Sequence, residues 1–241
     1  MVEYEGSPHT SKALTALACE LALSARAESD RHNDVVIAGC LAPLEDCYMP
    51  ELVPQDDELF EEHLVVGSQL KESGVDYIFA ETINSIREAV AVAKVARKVH
   101  LPFAVSFVCD ENGLLLSGES LYKATSVISD YKPIYASVNC RPAVQMEKAV
   151  KALSSASHCP VGVYANGEGL PDDDMGWAFP EGLGVATERY LEIAQSWVEE
   201  GATLIGGCSG TTPEYIKALR DGLKPAQKRR SRPSANSCRA A

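Results

Sequence analysis

The chain has 241 residues, of which 46% are hydrophobic, and a formal net charge of −12. This length and apolar content suffice for one large core, and the negative charge argues against nucleic acid or an anionic membrane as the main partner. No apolar run reaches the ~18 residues of a membrane span, and the N-terminus lacks a signal-peptide pattern, so we expect a cytoplasmic protein.

Apolar, β-branched runs alternate with helical patterns along the whole chain. Strands that are apolar on both faces and separated by helices predict βαβ units and a parallel sheet, either a barrel or a doubly wound sheet. The predicted strands are residues 35–41, 77–83, 103–109, 134–140, 161–166 and 203–208. The predicted helices are residues 10–29, 57–73, 85–99, 119–130, 143–155, 186–200 and 213–221.

Polar side chains stand at the ends of most predicted strands. They are Glu81, Ser106, Asn139 with Cys140, Asn166, and Cys208. A site that draws on many strand ends is typical of a barrel, whereas an open sheet concentrates its site at one switch point. Six strands are fewer than the eight that close such a barrel. The sequence therefore predicts an α/β fold of the (β/α)8 TIM-barrel type that is incomplete, with about six βα units.

The composition changes abruptly at Lys224, where the chain becomes basic and loses its apolar periodicity. We therefore expect one barrel domain over residues 1–223 and a basic disordered tail over residues 224–241. A solvated tail is the favoured interpretation, and an address to the nucleus or to nucleic acid is the alternative.

The chain contains eight cysteines, none of them in CxxC pairs. In a cytosolic protein this pattern favours free buried thiols, or a metal site assembled by folding, over disulfides. Two of these cysteines end predicted strands and precede helix-start signals, namely Cys140 in the segment Asn139-Cys140 and Cys208 in the segment Gly206-Gly207-Cys208-Ser209. This is the position where α/β proteins place their chemistry.

These two segments resemble the two signature segments of the homocysteine S-methyltransferase family. The family is built on a (β/α)8 barrel and holds one zinc ion through three cysteine thiolates, one from the first segment and two adjacent ones from the second. The resemblance makes Cys140 and Cys208 zinc ligands and puts Ser209 in the place of the third. The resemblance covers roughly residues 11–223, and the family's first two strands have no counterpart in it.

The resemblance implies transfer of a methyl group from a small activated donor to the thiol of homocysteine, which gives methionine. The donor could be S-methylmethionine, S-adenosylmethionine or betaine; a folate-cobalamin system is disfavoured because no module for it is seen. Zinc would hold the acceptor as a thiolate. A serine hydroxyl is a poorer zinc ligand than a thiolate, so two thiolates with water, or with a neighbouring Cys or His, would hold zinc more weakly. Cys40 and Cys109 also lie at strand ends and could substitute for the third ligand. The alternative is an inactive or fragmentary homologue that acts at most as a binding protein.

Three further side chains are candidate substrate contacts, and none is assigned as a catalytic acid or base. The resemblance implies that Glu81 binds the amino group of homocysteine; the alternative is that Glu81 caps the helix starting near Ser85. Asn139 and Asn166 could hydrogen-bond the substrate or position a loop. The glycine-rich turn at residues 206–212 could receive a carboxylate, or a phosphate in a different kind of barrel enzyme.

Two further expectations concern the loops and the assembly. Residues 167–179 form a long polar loop that could cover the site or simply be solvated. An open six-stranded sheet exposes two edges, so a homo-oligomer is an option.

Overall fold

The computed structural model describes residues 10–172 and 176–224. The predicted basic tail lies outside the described residues, apart from Lys224. The strands are β1 (Ala38–Leu41), β2 (Tyr77–Ile83), β3 (Phe103–Phe107), β4 (Ala136–Pro142), β5 (Val161–Asn166), β6 (Leu170–Asp172), β7 (Gly176–Ala178) and β8 (Leu204–Gly207). The helices are α1 (Ser11–Glu28), α2 (Asp56–Glu72), α3 (Ile86–Lys98), α4 (Leu121–Ser129), α5 (Glu147–Ala156), α6 (Leu183–Glu199) and α7 (Pro213–Gly222).

Six strands form one parallel sheet in the order β1-β2-β3-β4-β5-β8. Each strand of this sheet lies beside the preceding one, as in a barrel, whereas a doubly wound sheet reverses its order at a switch point. The prediction of an incomplete barrel-type α/β fold is confirmed. Within the described residues no pairing joins β1 to β8, so the sheet is open and these two strands form its edges.

The core lies between the sheet and its helices. All five residues of β3 are buried, which explains why this strand is apolar at nearly every position. Helix α3 is rich in alanine and buries Ala89, Val92 and Ala96 against the sheet. Its first turn carries Glu88 and its last turn Arg97 and Lys98, an order that complements the helix dipole.

The predicted elements all exist, but some boundaries differ. The first strand begins at Ala38 instead of residue 35, because Val35 and Val36 are exposed. The helix predicted at 143–155 is a short 3-10 turn at Ala143–Gln145 followed by α5. The long polar loop contains the antiparallel hairpin β6–β7, which the sequence did not predict.

One buried hydroxyl joins the last two strands of the sheet. The Tyr190 hydroxyl on α6 donates toward the carbonyl oxygens of Gly206 (2.8 Å) and Ala165 (3.1 Å) and accepts from the Ala165 N–H (3.0 Å). The ring is fully buried against Trp197 and Tyr215. Tyr190 therefore fixes the carboxyl ends of β5 and β8 relative to each other.

We expect Tyr190→Phe to lower the free energy of unfolding by about 1–3 kcal/mol, because buried backbone groups lose a partner while the ring still packs. Urea denaturation followed by circular dichroism measures this change. Tyr122→Phe, at a side chain 72% exposed, is the matched control and should have no measurable effect. Equal stability of the two variants would contradict the assigned role of the hydroxyl.

Candidate active site

The first predicted cysteine lies on a bulge at the end of β4. Cys140 has a φ of 61°, and the pairing of β4 with β5 shifts register between Asn139 and Pro142. Strand β2, on the other side of β3, has a similar irregularity at Thr82, whose φ is 59°. Left-handed backbone is costly for residues other than glycine, so the surrounding contacts must hold both bulges in place.

Asn139 supplies much of that restraint. Its Oδ1 accepts a hydrogen bond of 2.7 Å from Ser106 Oγ on β3, and its Nδ2 donates one of 2.7 Å to Thr82 Oγ1 on β2. The side chain is completely buried. In this arrangement the amide of Asn139 joins the ends of three strands. The contact of Asn139 with substrate stays a prediction.

The second predicted cysteine lies in a tight turn after β8. Both the backbone N–H and the hydroxyl of Thr211 donate to the Cys208 carbonyl oxygen, at 3.1 and 2.7 Å. A Cβ on Gly207 would lie 2.4 Å from Thr211 Oγ1, so this packing requires glycine. The turn therefore presents Cys208 and Ser209 at the same edge of the sheet as Cys140.

The structure brings the two predicted cysteines together. The Cys208 thiol, acting as a donor toward Cys140, is the main cause that lowers the pKa of Cys140 to about 6, and the Tyr48 hydroxyl acts in the same direction. The same interaction and burial raise the pKa of Cys208. Tyr48 Oη lies 3.1 Å from Cys140 Sγ, and Ser209 Oγ lies 4.0 Å from Cys208 Sγ. One thiolate and one thiol can thus share a proton at this site.

Sequence reasoning did not assign a site role to Tyr48, which belongs to the long loop after β1. That loop is tied to α3 and the residues just before it: Glu88 Oε1 accepts from the Leu44 N–H (2.9 Å), and Asn84 Nδ2 donates to the Cys47 carbonyl oxygen (3.2 Å). Glu88 is itself buried and paired with His63 at 3.1 Å. The sequence held one signal for this loop, namely the carboxylate of Glu88 at a buried helix position. A buried carboxylate needs a partner, and the loop supplies one.

Glu81 ends β2 beside the thiol pair and is partly buried. Its Oε2 accepts from the Cys40 thiol at 3.1 Å. The alternative interpretation of Glu81 as a helix cap is wrong, because Glu119 Oε2 accepts the Ile86 N–H at the start of α3, at 2.9 Å. Burial is the main cause that raises the pKa of Tyr164 and of Tyr135, and Glu81 acts in the same direction on both, at Tyr135 after the contributions of Tyr77. Its charge is therefore directed into the interior of the open barrel.

Asn166 lies at the end of β5, opposite Pro142. Its Oδ1 is buried and has no hydrogen-bond partner among the described residues. The residue lines a cavity of about 450 Å³ between the ends of β4 and β5 and residues 177–182. An unpartnered buried acceptor is costly, so Asn166 is suited to receive a donor from a ligand.

The donor set at the thiol pair is incomplete for a metal. In the part of the chain that the structure describes, no group of three or more His, Cys, Asp or Glu side chains is placed to hold a metal ion. Cys40 is engaged with Glu81, and Cys109 is buried, which raises its pKa to about 12. Within the described residues, neither joins Cys140 and Cys208 in a group of three candidate ligands. Among the described helices, none is long and apolar enough to cross a membrane.

The fold and the site define a barrel-type α/β protein with a thiol pair at the carboxyl ends of its parallel strands. The sequence profile described as "Homocysteine S-methyltransferase" matches residues 2–223. The chain belongs to this family, as the two cysteine segments predicted.

Relatives of known description agree with this assignment. The chain is 32% identical over 158 residues to homocysteine S-methyltransferase 2 of Arabidopsis thaliana, which covers 64% of this chain and 47% of the relative. It is 30% identical over 167 residues to homocysteine S-methyltransferase YbgG of Bacillus subtilis, with 68% and 52% covered. Selenocysteine Se-methyltransferase of Brassica oleracea var. italica is 30% identical over 158 residues, with 64% and 45% covered. The chain spans about half the length of these curated relatives.

Solved structures show the same fold. The metallated form of the homocysteine methyltransferase MmuM from Escherichia coli has a TM-score of 0.73 at 23% identity, with 88% of this chain and 70% of that chain covered. The apo form has a TM-score of 0.70 at 24% identity, with 88% and 74% covered.

We expect Cys140 to be the fast-reacting thiol of the metal-free protein, because its pKa lies below the ordinary value and that of Cys208 lies above it. Cys140 should be alkylated with half-maximal rate near pH 6, the rate falling as pH drops and the thiolate is protonated. Tyr48→Phe removes a donor to the thiolate and should slow this reaction about fivefold at pH 6.

Iodoacetamide labelling in the presence of a chelator, followed by peptide mass spectrometry, measures both rates, with Tyr122→Phe as the control. Preferential labelling of Cys208 would show that the assignment of the two thiols is reversed.

Proposed function

We propose that the chain transfers a methyl group from a positively charged sulfur or nitrogen donor to the thiol of homocysteine, giving methionine. The observation that carries the proposal is the meeting of Cys140 and Cys208 at the ends of β4 and β8 in a chain of this family. Partly buried thiols with oppositely shifted pKa values are unusual for purely structural cysteines and typical of functional sites.

The reaction balances without an added oxidant or reductant. The acceptor thiol first loses its proton to solvent or to a nearby base. Its thiolate sulfur then forms a bond to the methyl carbon, while the bond from that carbon to the donor's charged atom breaks. The electron pair stays with the donor, which leaves as a neutral thioether or amine. The protein contributes mainly by binding and orienting the two reactants.

Glu81 fits the role of holding the acceptor's amino group. Its carboxylate ends β2 beside the thiol pair, and among described side chains it has no cationic partner. A partly buried carboxylate in this position is stabilised by an ammonium group. The ammonium of an amino acid acceptor would supply that charge and place the acceptor's thiol toward Cys140.

Zinc fits this donor set only in part. Cys140 and Cys208 can supply two thiolates, and Ser209 stands where the third would be, with a hydroxyl 4.0 Å from Cys208 Sγ. We propose that these residues hold zinc more weakly than three cysteines would. When bound, zinc keeps an acceptor thiol deprotonated near neutral pH.

The identity of the acceptor can be tested directly. One relative is described as acting on selenocysteine, so the acceptor is either a thiol or a selenol amino acid. Assays with homocysteine, cysteine and selenocysteine, each with the same donor, separate these cases by their kcat/KM. Absence of transfer to all three by folded, zinc-supplemented protein would support the inactive homologue instead.

We expect Ser209→Cys to raise zinc affinity at least tenfold, since it replaces a protonated hydroxyl with a third thiolate. Competition with a chromophoric chelator, together with zinc content per chain by elemental analysis, measures the change. Ser155→Cys adds a cysteine at an exposed site on α5 and is the matched control. The same affinity in Ser209→Cys and the natural chain would refute the assigned ligand position.

We expect Glu81→Gln to raise the KM for homocysteine by about tenfold or more, with a smaller effect on kcat, because it removes the charge that meets the substrate ammonium. Initial rates measured over a range of homocysteine concentrations give KM and kcat separately. Glu58→Gln, on the exposed side of α2, should leave both constants unchanged. An unchanged KM in Glu81→Gln would exclude the proposed contact.

A further inference from the structure

The loop after β1, residues 42–55, brings the Tyr48 hydroxyl to the thiol pair. This hydroxyl lies 3.1 Å from Cys140 Sγ and donates toward the Cys140 carbonyl oxygen at 3.3 Å. Tyr48 is nevertheless 48% exposed. Burial of its ring therefore does not set its position, which must come from the contacts that hold the loop.

The start of α3 holds this loop at three points. A carboxylate, an amide and a guanidinium each bind a main-chain group of the loop. The three contacts are Glu88 Oε1 with the Leu44 N–H (2.9 Å), Asn84 Nδ2 with the Cys47 carbonyl oxygen (3.2 Å), and Arg87 Nη2 with the carbonyl oxygens of Val53 (3.2 Å) and Pro54. The loop is therefore fixed on both sides of Tyr48.

A turn within the loop passes this restraint on to Tyr48. The Tyr48 N–H donates to Asp46 Oδ1 at 2.8 Å, and the Met49 N–H donates to the Asp46 carbonyl oxygen at 2.9 Å. Asp46 lies between two of the anchored residues, Leu44 and Cys47. Because the turn is closed by its own hydrogen bonds, a shift of its anchors displaces the Tyr48 hydroxyl as well.

Glu88 differs from the other two anchors because it is a buried carboxylate. The side chain is completely buried, and its Oε1 also pairs at 3.1 Å with His63 on α2, which is buried too. Its Oε2 is buried and has no hydrogen-bond partner among the described residues. Replacing buried ionic groups by apolar side chains of similar volume often leaves stability unchanged or raises it. The presence of this carboxylate therefore indicates a role in fixing the loop and not a gain in stability.

We propose that Glu88 is a positioning residue of the thiol site, which holds the loop after β1 where the Tyr48 hydroxyl meets Cys140. The hydrogen-bond partners of Glu88 in the described chain are Leu44 and His63, so Glu88 acts on the thiol through the loop. The effect on the reactivity of Cys140 can be measured without any methyl transfer. The effect on catalysis rests on the proposed function.

The first measurement is the rate at which iodoacetamide alkylates Cys140 at pH 6 in chelator-treated protein, followed by peptide mass spectrometry. Glu88→Met keeps the volume of the side chain and removes both oxygens. We expect this variant to react about fivefold more slowly than the natural chain, as Tyr48→Phe does, because both lose the same hydroxyl contact. Glu88→Gln keeps an oxygen for the Leu44 N–H and should restore the rate to within about twofold.

A double variant separates positioning from a general loosening of the structure. If Glu88 acts through Tyr48, Glu88→Met has no further effect in a Tyr48→Phe chain, whereas independent effects would multiply. Thr125→Val removes a buried hydroxyl on α4, away from the loop, and is the control that should leave the rate unchanged. Glu88→Asp keeps the charge and shortens the reach by one methylene, and it replaces Glu88→Met in the same comparison if Glu88→Met does not fold.

The second measurement concerns catalysis. We expect Glu88→Met to lower kcat about fivefold with a KM for homocysteine within about twofold of the natural value, because a displaced loop disturbs the orientation at the thiol and leaves the charge of Glu81 in place. This is the reverse of the pattern expected for Glu81→Gln. Glu58→Gln again serves as the control with both constants unchanged.

The outcomes separate this inference from the proposed function. Slower alkylation of Cys140 in Glu88→Met, its recovery in Glu88→Gln and its dependence on Tyr48 support the positioning role even if no methyl transfer is detected. An unchanged alkylation rate in the folded variant that lacks the Glu88 contact would overturn the role and leave the function intact. A slowing of the same size in the Tyr48→Phe chain would overturn it as well, because Glu88 would then act by another route.

Discussion

The site depends on the buried amide of Asn139. Its two hydrogen bonds, to Ser106 and Thr82, join the ends of three adjacent strands at the point where two of them depart from regular pairing. A buried amide with both ends satisfied is rigid, because any rotation would leave polar atoms without partners in a low-dielectric interior. The position of Cys140, one residue further along, follows from this restraint.

A second set of contacts brings the remaining groups to that fixed point. Helix α3 and the residues before it hold the loop after β1 through Glu88 and Asn84, and this loop carries Tyr48 to Cys140. On the other side, Tyr190 ties β5 to β8, and the turn after β8 presents Cys208. The two thiols therefore come together through contacts made by helices and loops far apart in the chain.

Much of the fold and part of the site could be predicted from the sequence. Strands apolar on both faces indicated a parallel sheet, and the polar residues at their ends marked the edge where the site lies, because carboxyl ends of parallel strands meet there. The cysteine segments indicated the family. The contribution of Tyr48 was not predicted, since it depends on a loop held by side chains of α3 and its only sequence signal was the carboxylate of Glu88 at a buried helix position. The engagement of Asn139 and the cap formed by Glu119 also depend on contacts between distant segments.

The left-handed backbone at Cys140 has a consequence for how this site responds to substitution. A non-glycine residue in this region costs about 1–2 kcal/mol, a cost that glycine does not carry. Replacing Cys140 with glycine would relieve that strain while removing the sulfur. The variant that lacks the thiol would therefore have the less strained backbone at this position. Folding and function therefore favour different residues here. A search for thermostable variants that ignored activity would be drawn toward losing the thiol.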